Sequence, residues 1–439
     1  MRKIRIFIIN GIILTISSFL MRAVTMGFSV YISNKVGAEA IGVFQLIISV
    51  YMFFITIATS GIKLATTKVI SEEFILNQNA GTKKAMRQCL LYSLIFGGSA
   101  GIILFLMAPY ITTTWIHNKV HTSIFYILAF ALPCMSITSV INGYFSALRD
   151  VIKTASAQIV EEFVQIIIAT FLLSLFLPKG LSYACLALIL GMVISEFVAC
   201  IYLYILYKFD SRKFGYRYKN NSDYKRKIFA IAMPISITSY IRSAISTLKQ
   251  ILIPIRLEKS GLSCDQALAN YGIITGMAMP IIMFPYGFVA VFGELLITEI
   301  TEYSYTNSYK QIKYVIKKVF RLAITFSILA FIILLLFGDN ISLLLYNNTE
   351  VAFYLKALAL LAPLMYMDNV IDNILKGLNA QFSVMVINIF DLIITTSLIF
   401  FILPIYGANG YISILIISEA FNLAISLLVL TTHLKKHTS

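Results

Sequence analysis

Charged side chains inside long apolar stretches are the residues of this sequence best placed to do chemistry. The basic ones are Arg22, near the start of the chain, and Arg242 with Lys249, near its middle. An Arg or Lys at the centre of a bilayer costs about 2.5–3.5 kcal/mol or more, so it usually faces a wet cavity or a partner. Because a guanidinium is a planar fork of donors that fits phosphate oxygens, we interpret these cations as candidate substrate-binding residues for a phosphate or pyrophosphate.

Acidic residues also lie within apolar stretches, and they are the alternative partners of these cations. They are Glu161, Glu162, Glu196, Asp368, Asp372, Asp391 and Glu419. Asp368 and Asp372 are four residues apart, so they share one helix face and are candidates for binding a coupling cation. Simple solvation at the cytoplasmic end of that helix is the alternative. For Glu196 and Glu419, a structural partner within each half of the chain is the competing interpretation to ion coupling.

Motifs for other chemistries are absent from the sequence. There is no G-x-x-x-x-G-K-[ST] loop for nucleotide phosphates, and no Cys or carboxylate arrangement completes a metal site around His117 and His121. The five cysteines form no C-x-x-C pair and lie mostly in apolar stretches, which favours core packing. We therefore expect no enzyme activity, no metal and no cofactor.

Long apolar segments are the elements that must position these residues. Of 439 residues, 59% are apolar and 13% charged, against about 45–50% and about 25% in soluble domains. Since a membrane helix needs about 20 apolar residues, we expect an all-α polytopic membrane protein of about twelve helices. The predicted spans are 6–32, 40–62, 86–108, 122–147, 156–177, 181–207, 228–255, 268–298, 314–337, 351–375, 381–403 and 409–432. The first is too long for a signal peptide, so we expect it to be retained.

Basic residues are distributed unevenly between the segments that join these helices. With the N-terminus in the cytoplasm, 25 of the 35 Lys and Arg fall in inner segments or at the inner ends of spans, five in outer segments and five deeper within spans. This positive-inside bias predicts that both termini are cytoplasmic. It also accounts for the net charge of +15, because the basic residues face the anionic inner leaflet. No nucleic-acid partner is required.

The second half of the sequence resembles the first. Short matches occur in the same order in both halves, and Arg22 pairs loosely with Arg242. The other matched pairs are Pro133 with Pro363, Glu161 with Asp391, and Glu196 with Glu419. We predict two six-helix lobes, 1–207 and 228–439, joined by a basic cytoplasmic linker at 208–227 and related as a parallel repeat. We expect a V shape with a central cavity, which rocking of the lobes opens to alternate sides.

Helix-breaking and small residues occur at particular places in the predicted helices. Pro280 and Pro285 lie in helix 8, where each removes a backbone hydrogen bond and bends the helix. Such bends suit gating at a lobe interface, although plain packing is the alternative, since membrane helices tolerate proline. Gly97-x-x-x-Gly101 permits close contact with another helix.

Three segments near the N-terminus carry a family resemblance. They are FLMRAVTMGF (19–28), VGAEAIGVFQL (36–46) and SGIKLATTKVISEE (60–73). Later in the chain, NGYFSALRD (142–150) and KGLNAQFS (376–383) extend the similarity along both halves. The chain resembles the stage V sporulation protein B group, in the polysaccharide-transporter branch of the multidrug/oligosaccharidyl-lipid/polysaccharide exporter superfamily.

This resemblance implies a flippase of the cytoplasmic membrane. Its substrate would be an undecaprenyl-pyrophosphate-linked saccharide for peptidoglycan, spore cortex or exopolysaccharide, moved outward by alternating access. Related lipid II flippases place basic residues of helix 1 in a cationic cavity, and Arg22 matches that pattern. Those flippases also have an additional helix pair that forms a groove for the lipid tail, which the twelve helices predicted here lack.

The expected partners are the lipid-linked saccharide, membrane lipids and a coupling cation, and we expect a monomer. Two other functions stay open. One is a cation-coupled multidrug exporter of the same superfamily. The other is a non-transporting membrane scaffold of a sporulation or cell-wall complex.

Overall fold

Helices make up nearly all of the chain. The computed structural model describes residues 2–75, 79–212, 224–306 and 308–436, and no strand occurs in these ranges. The thirteen α-helices are α1 (Arg2–Thr59), α2 (Ile62–Ile75), α3 (Asn79–Tyr110), α4 (Ser123–Ala147), α5 (Val151–Phe176), α6 (Leu181–Ser211), α7 (Tyr224–Glu258), α8 (Cys264–Gly272), α9 (Met279–Tyr305), α10 (Tyr309–Tyr346), α11 (Thr349–Ala357), α12 (Leu361–Gly377) and α13 (Gln381–Lys436).

Many of these helices are long enough to cross a bilayer. In the described ranges, nine segments meet the length and hydropathy of a span, or ten when α11 and α12, bent by 49°, count as one. Phe19–Ile75 and Gln381–Leu434 have 57 and 54 residues, where about 20 suffice for one crossing. The chain is therefore an all-α, multi-pass membrane protein. The count of twelve helices stays a prediction.

Two glycines interrupt the longest helices, α1 and α13. Gly37 has φ 82° and ψ 171°, and Gly407 has φ 57° and ψ −143°. A side chain strains the backbone at such positive φ values, whereas glycine adopts them freely. Both breaks fall within the short segments predicted to separate helices, at 33–39 and 404–408. Each therefore ends one regular helix and begins the next.

The helices form two compact units. The continuous unit is Leu46–Thr247, and the split unit combines Met1–Gln45 with Leu248–Ser439. The boundaries fall inside α1 and α7, which were each predicted to belong to one lobe.

The predicted division into lobes 1–207 and 228–439 stays a prediction. The boundaries of the compact units differ from it. Of the predicted linker 208–227, the stretch 213–223 lies outside the described residues.

In the continuous unit, α3 packs closely against α4. A Cβ atom added at Gly97 would lie 2.3 Å from Ser136 Oγ, and one added at Gly101 would lie 2.7 Å from the carbonyl oxygen of Ala129. Neither position has room for a side chain. The close contact predicted from the Gly97-x-x-x-Gly101 spacing is therefore confirmed.

In the split unit, glycines bring α1 and α8 together. A Cβ added at Gly42 would lie 2.0 Å from the carbonyl oxygen of Leu268, and one added at Gly272 would lie 2.1 Å from that of Ala38. The two backbones therefore touch where these helices cross. This crossing holds the part of α1 that follows Gly37 against the beginning of the α8–α9 segment.

The prolines predicted to bend helix 8 lie in α9. Pro280 is in its first turn, within the continuous helical stretch Cys264–Tyr305, and Pro285 is inside the helix. Residues Ile273–Ala278 just before α9 are π-helical, so the irregular backbone also includes the turn before Pro280. A gating role for the two prolines stays a prediction.

Candidate functional site

Arg22 lies on the first part of α1, in the split unit, against α9. A Cβ added at Gly287 would lie 2.8 Å from Arg22 Nη1, so the absence of a side chain at Gly287 makes room for the guanidinium. One turn before Arg22, Phe19 packs on Phe284 and Phe288, with ring centroids 5.5 and 4.1 Å apart. These contacts hold α1 against α9 next to the guanidinium.

No carboxylate whose side chain the structure describes forms an ion pair with Arg22; the side chain of Glu294 on α9 lies outside the described part. Its side chain is exposed in the protein. The alternative that Arg22 pairs with an acid of the apolar helices therefore finds no partner there.

Arg242 lies on α7 in the continuous unit. Nearby, Tyr240 Oη donates to the carbonyl oxygen of Ile57 at 3.2 Å, and Ser243 Oγ donates to Thr56 Oγ1 at 3.1 Å. These bonds hold α7 against the end of α1 on both sides of the arginine. Arg242 is exposed, and the described carboxylates form no ion pair with it.

Lys249 has a different environment from the two arginines. It is half-buried and lies within electrostatic range of Asp391 and Glu419. Two acids of α13 therefore lie near its ammonium group, which favours the interpretation as a structural partner. Substrate binding by Lys249 stays a prediction.

Asp391 is also bonded to its own helix on both sides of the Gly407 break. Thr395 Oγ1 donates to Asp391 Oδ1 at 3.4 Å, and Ser418 Oγ donates to the same oxygen. Thr395 and Ser418 bond to each other as well. The hydroxyls therefore hold the two parts of α13 together around one carboxylate.

Asp368 and Asp372 lie on α12 and are almost fully buried, with 8% and 9% of their surface exposed. Asn422 Nδ2 donates to Asp368 Oδ2 at 3.0 Å, and Asn388 Nδ2 donates to Asp372 Oδ2 at 3.3 Å. The two amides come from α13 on opposite sides of its break. Because both aspartates are buried, simple solvation does not account for them.

Four buried oxygens around these aspartates have no hydrogen-bond partner among the described residues. They are Asp368 Oδ1, Asp372 Oδ1, Asn422 Oδ1 and Ser426 Oγ. Ser426 lies beside Asp368 but outside ordinary hydrogen-bond geometry. Unpaired buried oxygens are rare in native proteins, and oxygen donors of this kind suit a proton or a hard cation.

In the continuous unit, Glu196 has a hydroxyl partner. Glu196, with 4% of its surface exposed, accepts a hydrogen bond from Tyr51 Oη at 2.9 Å. Glu161 is half-buried and lies within electrostatic range of Glu196. Tyr51 is the kind of partner that the structural interpretation of Glu196 requires.

Three residues of these sites were missed by sequence reasoning. Tyr51 and Asn422 are polar residues in apolar stretches, which is a usable signal, but neither indicates which acid it will contact. Gly287 lies two residues after Pro285, and nothing in the sequence links it to Arg22. Each partner belongs to a helix far away in the chain.

No three His, Cys, Asp or Glu side chains in the described ranges are grouped so that they could hold a metal ion. The five cysteines are free thiols; Cys89, Cys185 and Cys200 are buried, and Cys134 and Cys264 are partly exposed. The packing role predicted for most of them agrees with this burial. The absence of a metal or cofactor stays a prediction.

Curated relatives from Bacillus subtilis match most of the chain. Stage V sporulation protein B is 23% identical over 405 residues, which cover 90% of this chain and 77% of that protein. Sporulation protein YkvU is 21% identical, with coverage of 80% and 78%. Lipid II flippase MurJ is 26% identical over 322 residues, covering 68% of this chain and 58% of that protein.

Solved transporter structures share the fold. The inward-facing conformation of a multidrug resistance MATE family transporter of the MOP superfamily matches with a TM-score of 0.76 at 13% identity, over 97% of this chain and 98% of that one. The outward-facing conformation of such a transporter matches with a TM-score of 0.63 at 15% identity, over 98% and 96%. The fold is therefore that of MATE-like transporters of the MOP superfamily.

A family profile matches residues 7–292 of the chain, which is more than half of its length. That region includes Arg22, Gly287 and Arg242. Its description agrees with the resemblance found in the N-terminal segments. The chain belongs to the polysaccharide biosynthesis protein family.

Proposed function

We propose that this protein is a flippase that moves a lipid-linked, anionic saccharide precursor across the cytoplasmic membrane by alternating access. The precursor would serve the cell wall, the spore cortex or an exopolysaccharide. Support comes from the family and from relatives named as a lipid II flippase and as sporulation proteins. The protein would act as a transporter and not as an enzyme.

One observation carries this proposal: Arg22 is a cation on a membrane helix that lies beside Gly287 and forms no ion pair with a described carboxylate. A guanidinium without an acidic partner can bind two phosphate oxygens at once. In our proposal Arg22 therefore binds the phosphate of the substrate. Arg242, which is also exposed and has no such ion pair, is a second contact, and Lys249 is a weaker candidate.

Energy for directed transport would come from a coupling cation at Asp368 and Asp372. Their unpaired buried oxygens, together with those of Asn422 and Ser426, support this assignment. In this proposal Glu196, Asp391 and Glu419 are structural partners, since Glu196 and Asp391 accept hydrogen bonds from hydroxyls and Glu419 lies near Lys249. Glu161, which lies near Glu196, is assigned the same role. Gating at Pro280 and Pro285 belongs to the same proposal.

The topology that we propose has both termini in the cytoplasm and the protein acting as a monomer. The distribution of Lys and Arg along the sequence supports the orientation. Single cysteines at Lys83 and at Lys259, placed in a variant without the native cysteines, test it. We expect a membrane-impermeant maleimide to label position 259 from outside the cell and position 83 only after permeabilisation; the reverse pattern would contradict the orientation.

The test of transport uses protein in liposomes with a fluorescent undecaprenyl-pyrophosphate-linked disaccharide. External dithionite bleaches only the outer leaflet, so loss of the protected signal measures translocation. We expect Arg22→Ala to lower the rate at least tenfold, because the phosphate loses its bidentate partner. Arg22→Lys should be intermediate, since it keeps the charge but not the fork, and Gly287→Ala should slow transport by displacing the guanidinium.

Arg87→Ala is the matched control, because Arg87 is an exposed arginine at the start of α3, outside the proposed substrate site. It should stay within about twofold of the unmodified protein, since a single surface charge contributes little. Full transport by both Arg22→Ala and Arg242→Ala would overturn the cationic site. A lack of translocation by the unmodified protein would overturn the flippase assignment.

A cation-coupled multidrug exporter is the second candidate function. The fold shared with MATE transporters favours it, as do the buried aspartates of α12. It predicts that liposomes loaded with a cationic dye expel the dye when a sodium or proton gradient is imposed. Dye transport without translocation of the labelled saccharide lipid would favour this candidate over the flippase.

A further inference from the structure

The split unit has a cavity whose lining residues do not include Arg22 or the buried aspartates. Its volume is about 550 Å³, within the roughly 300–1,000 Å³ of small-molecule sites. Four segments line it: the turn between α7 and α8, the second half of α8, the first turns of α11, and the Gly407 break in α13. The side chains that matter most are Ser260, Asn270, Phe353, Tyr354, Tyr406 and Asn409.

The lining combines aromatic rings with neutral hydrogen-bonding groups. Phe353 and Tyr406 are large and exposed, at 55% and 66%, so their rings are available to a ligand. Ser260, Asn270 and Asn409 supply a hydroxyl and two carboxamides, which both donate and accept. None of the ten lining residues carries a charge. This chemistry fits a neutral, hydroxylated ligand.

Part of the lining is held in place before any ligand binds. Tyr354 Oη donates to Asn270 Oδ1 at 2.6 Å, and Tyr354 itself is buried. That bond occupies the oxygen of the Asn270 carboxamide, and its nitrogen keeps its donors for a ligand. Ser260 Oγ donates to the carbonyl oxygen of Leu257 at 2.6 Å, so its oxygen remains an acceptor.

We infer that this cavity binds a sugar ring of the transported precursor. A pyranose has an apolar face of C–H bonds, which packs on an aromatic ring, and an edge of hydroxyls, which bonds to amides and hydroxyls. The cavity offers both at once. The inference rests on the proposed function and deepens it, because it assigns the saccharide and the phosphate of the substrate to different residues.

The position of the cavity along the predicted topology fits this role. The lining lies in or beside the stretches predicted to be on the outer side of the membrane, after helices 7, 9 and 11. Ser260 and Gly407 lie in those stretches, and the other polar and aromatic lining residues lie there or within the first four residues of the predicted helices that follow. A head group moved outward would arrive on that side. The site would therefore bind the sugar as it leaves the membrane, which favours release on the outer face.

Other occupants fit the lining less well. A pyrophosphate needs cations, and no lining residue is basic. An acyl chain would cover the Asn270 nitrogen and the Asn409 carboxamide without bonding to them, at a cost of about 1–3 kcal/mol for each buried group. A sugar satisfies these groups and covers the exposed rings.

Saturation-transfer NMR tests the site on the full-length protein. The probes are N-acetylglucosamine and its β-1,4-linked disaccharide, with glycerol as the negative control. The detergent must have no sugar head group, since a maltoside would itself occupy the cavity. We expect transfer from the protein to the sugar ring protons, and at least a fivefold loss of it in Tyr406→Ala and in Asn409→Leu.

Phe401→Ala is the matched control, because Phe401 is an exposed aromatic residue on the same helix that does not line the cavity. It should keep the full signal. Absence of transfer to either sugar, or equal transfer in all variants, would overturn the inference. Transfer to detergent acyl protons that is lost in Tyr406→Ala would overturn it in favour of a lipid site.

The failure of this inference and that of the proposed function can be told apart. Arg22→Ala should abolish translocation while the sugars still bind at the cavity. Sugar binding by a protein that moves no saccharide lipid would leave the site standing and refute the flippase. Suppose instead that translocation persists unchanged in Tyr406→Ala and Asn409→Leu, and that the unmodified protein binds no sugar. This result would refute the sugar site and leave the flippase standing.

Discussion

In the continuous unit, the buried Glu196 carboxylate accepts a hydrogen bond from Tyr51 Oη at 2.9 Å. In the split unit, Asp368 and Asp372 are buried to a similar extent, yet each has one oxygen without a described partner. Glu196 and the two aspartates thus have different environments, although the repeat in the sequence pairs Glu196 with Glu419 and suggests similar halves. Glu73 of the continuous unit is also buried with an unpaired oxygen, so the difference concerns these three acids and not every acid of the two units.

The difference indicates separate roles for the two sets of acids. A carboxylate with a fixed hydroxyl donor has a static environment, and its contribution is to packing. A carboxylate with a free buried oxygen pays for desolvation without compensation, so a proton or cation that binds it is stabilised. We therefore propose coupling at Asp368 and Asp372, and a packing role for Glu196.

The largest expected effect that separates the units is on gradient-driven transport. Asp368→Asn keeps the size of the side chain and one oxygen that can accept the hydrogen bond from Asn422. It removes the charge that would hold a cation. We expect transport under an imposed proton or sodium gradient to fall to the level of protein-free liposomes. The measurement is translocation of the labelled saccharide lipid with and without the gradient.

Glu196→Gln is the matched change in the continuous unit, because glutamine keeps an oxygen that accepts from Tyr51. Its gradient-driven rate should remain within about twofold of the unmodified protein, because the bond with Tyr51 is kept and Glu196 is not part of the proposed coupling site. Equal losses in Asp368→Asn and Glu196→Gln would remove the distinction between the units.

The second-largest expected effect is a loss of stability in the continuous unit. Tyr51→Phe leaves the buried Glu196 carboxylate without its donor, which should cost about 1–3 kcal/mol of unfolding free energy. Replacing both partners, as Tyr51→Phe with Glu196→Leu, should recover most of that loss, since two apolar groups need no bond.

Unfolding in detergent micelles, followed by circular dichroism, measures this double-mutant cycle. Tyr240→Phe is a control of the same chemistry, since it removes a hydroxyl that donates to the carbonyl of Ile57 at 3.2 Å and not to a carboxylate. It should cost less than Tyr51→Phe. Additive losses in the Tyr51 and Glu196 variants would show that the pair is not coupled.

The sequence was sufficient for the features that depend on local pattern. Apolar length predicts the membrane helices, and the breaks at Gly37 and Gly407 fall in the predicted turns. The Gly97-x-x-x-Gly101 spacing predicts a close helix contact that the protein has. Each of these follows from composition or spacing within a single segment.

Features that depend on how separate helices face one another could not be predicted. Apolar residues cover every side of these helices, so periodicity does not reveal which face meets a neighbour. Arg22 lies beside Gly287, which is 265 positions later in the chain. Asn422 donates a hydrogen bond to Asp368, which is 54 positions earlier. The unit boundaries inside α1 and α7 could not be predicted for the same reason. The sequence of a continuous helix has no feature that marks where its contacts change from one unit to the other.

The smallest expected effect concerns Ser426, whose fully buried hydroxyl has no hydrogen-bond partner among the described residues and lies beside Asp368. If its oxygen helps to bind the coupling cation, Ser426→Ala should raise the half-maximal sodium or proton concentration for transport about threefold, which corresponds to about 0.65 kcal/mol. Stability should stay the same or rise, because an unpaired hydroxyl is removed. Ser418→Ala, which removes a donor to Asp391, should instead lower stability. An unchanged ion dependence in Ser426→Ala would restrict coupling to the aspartates themselves.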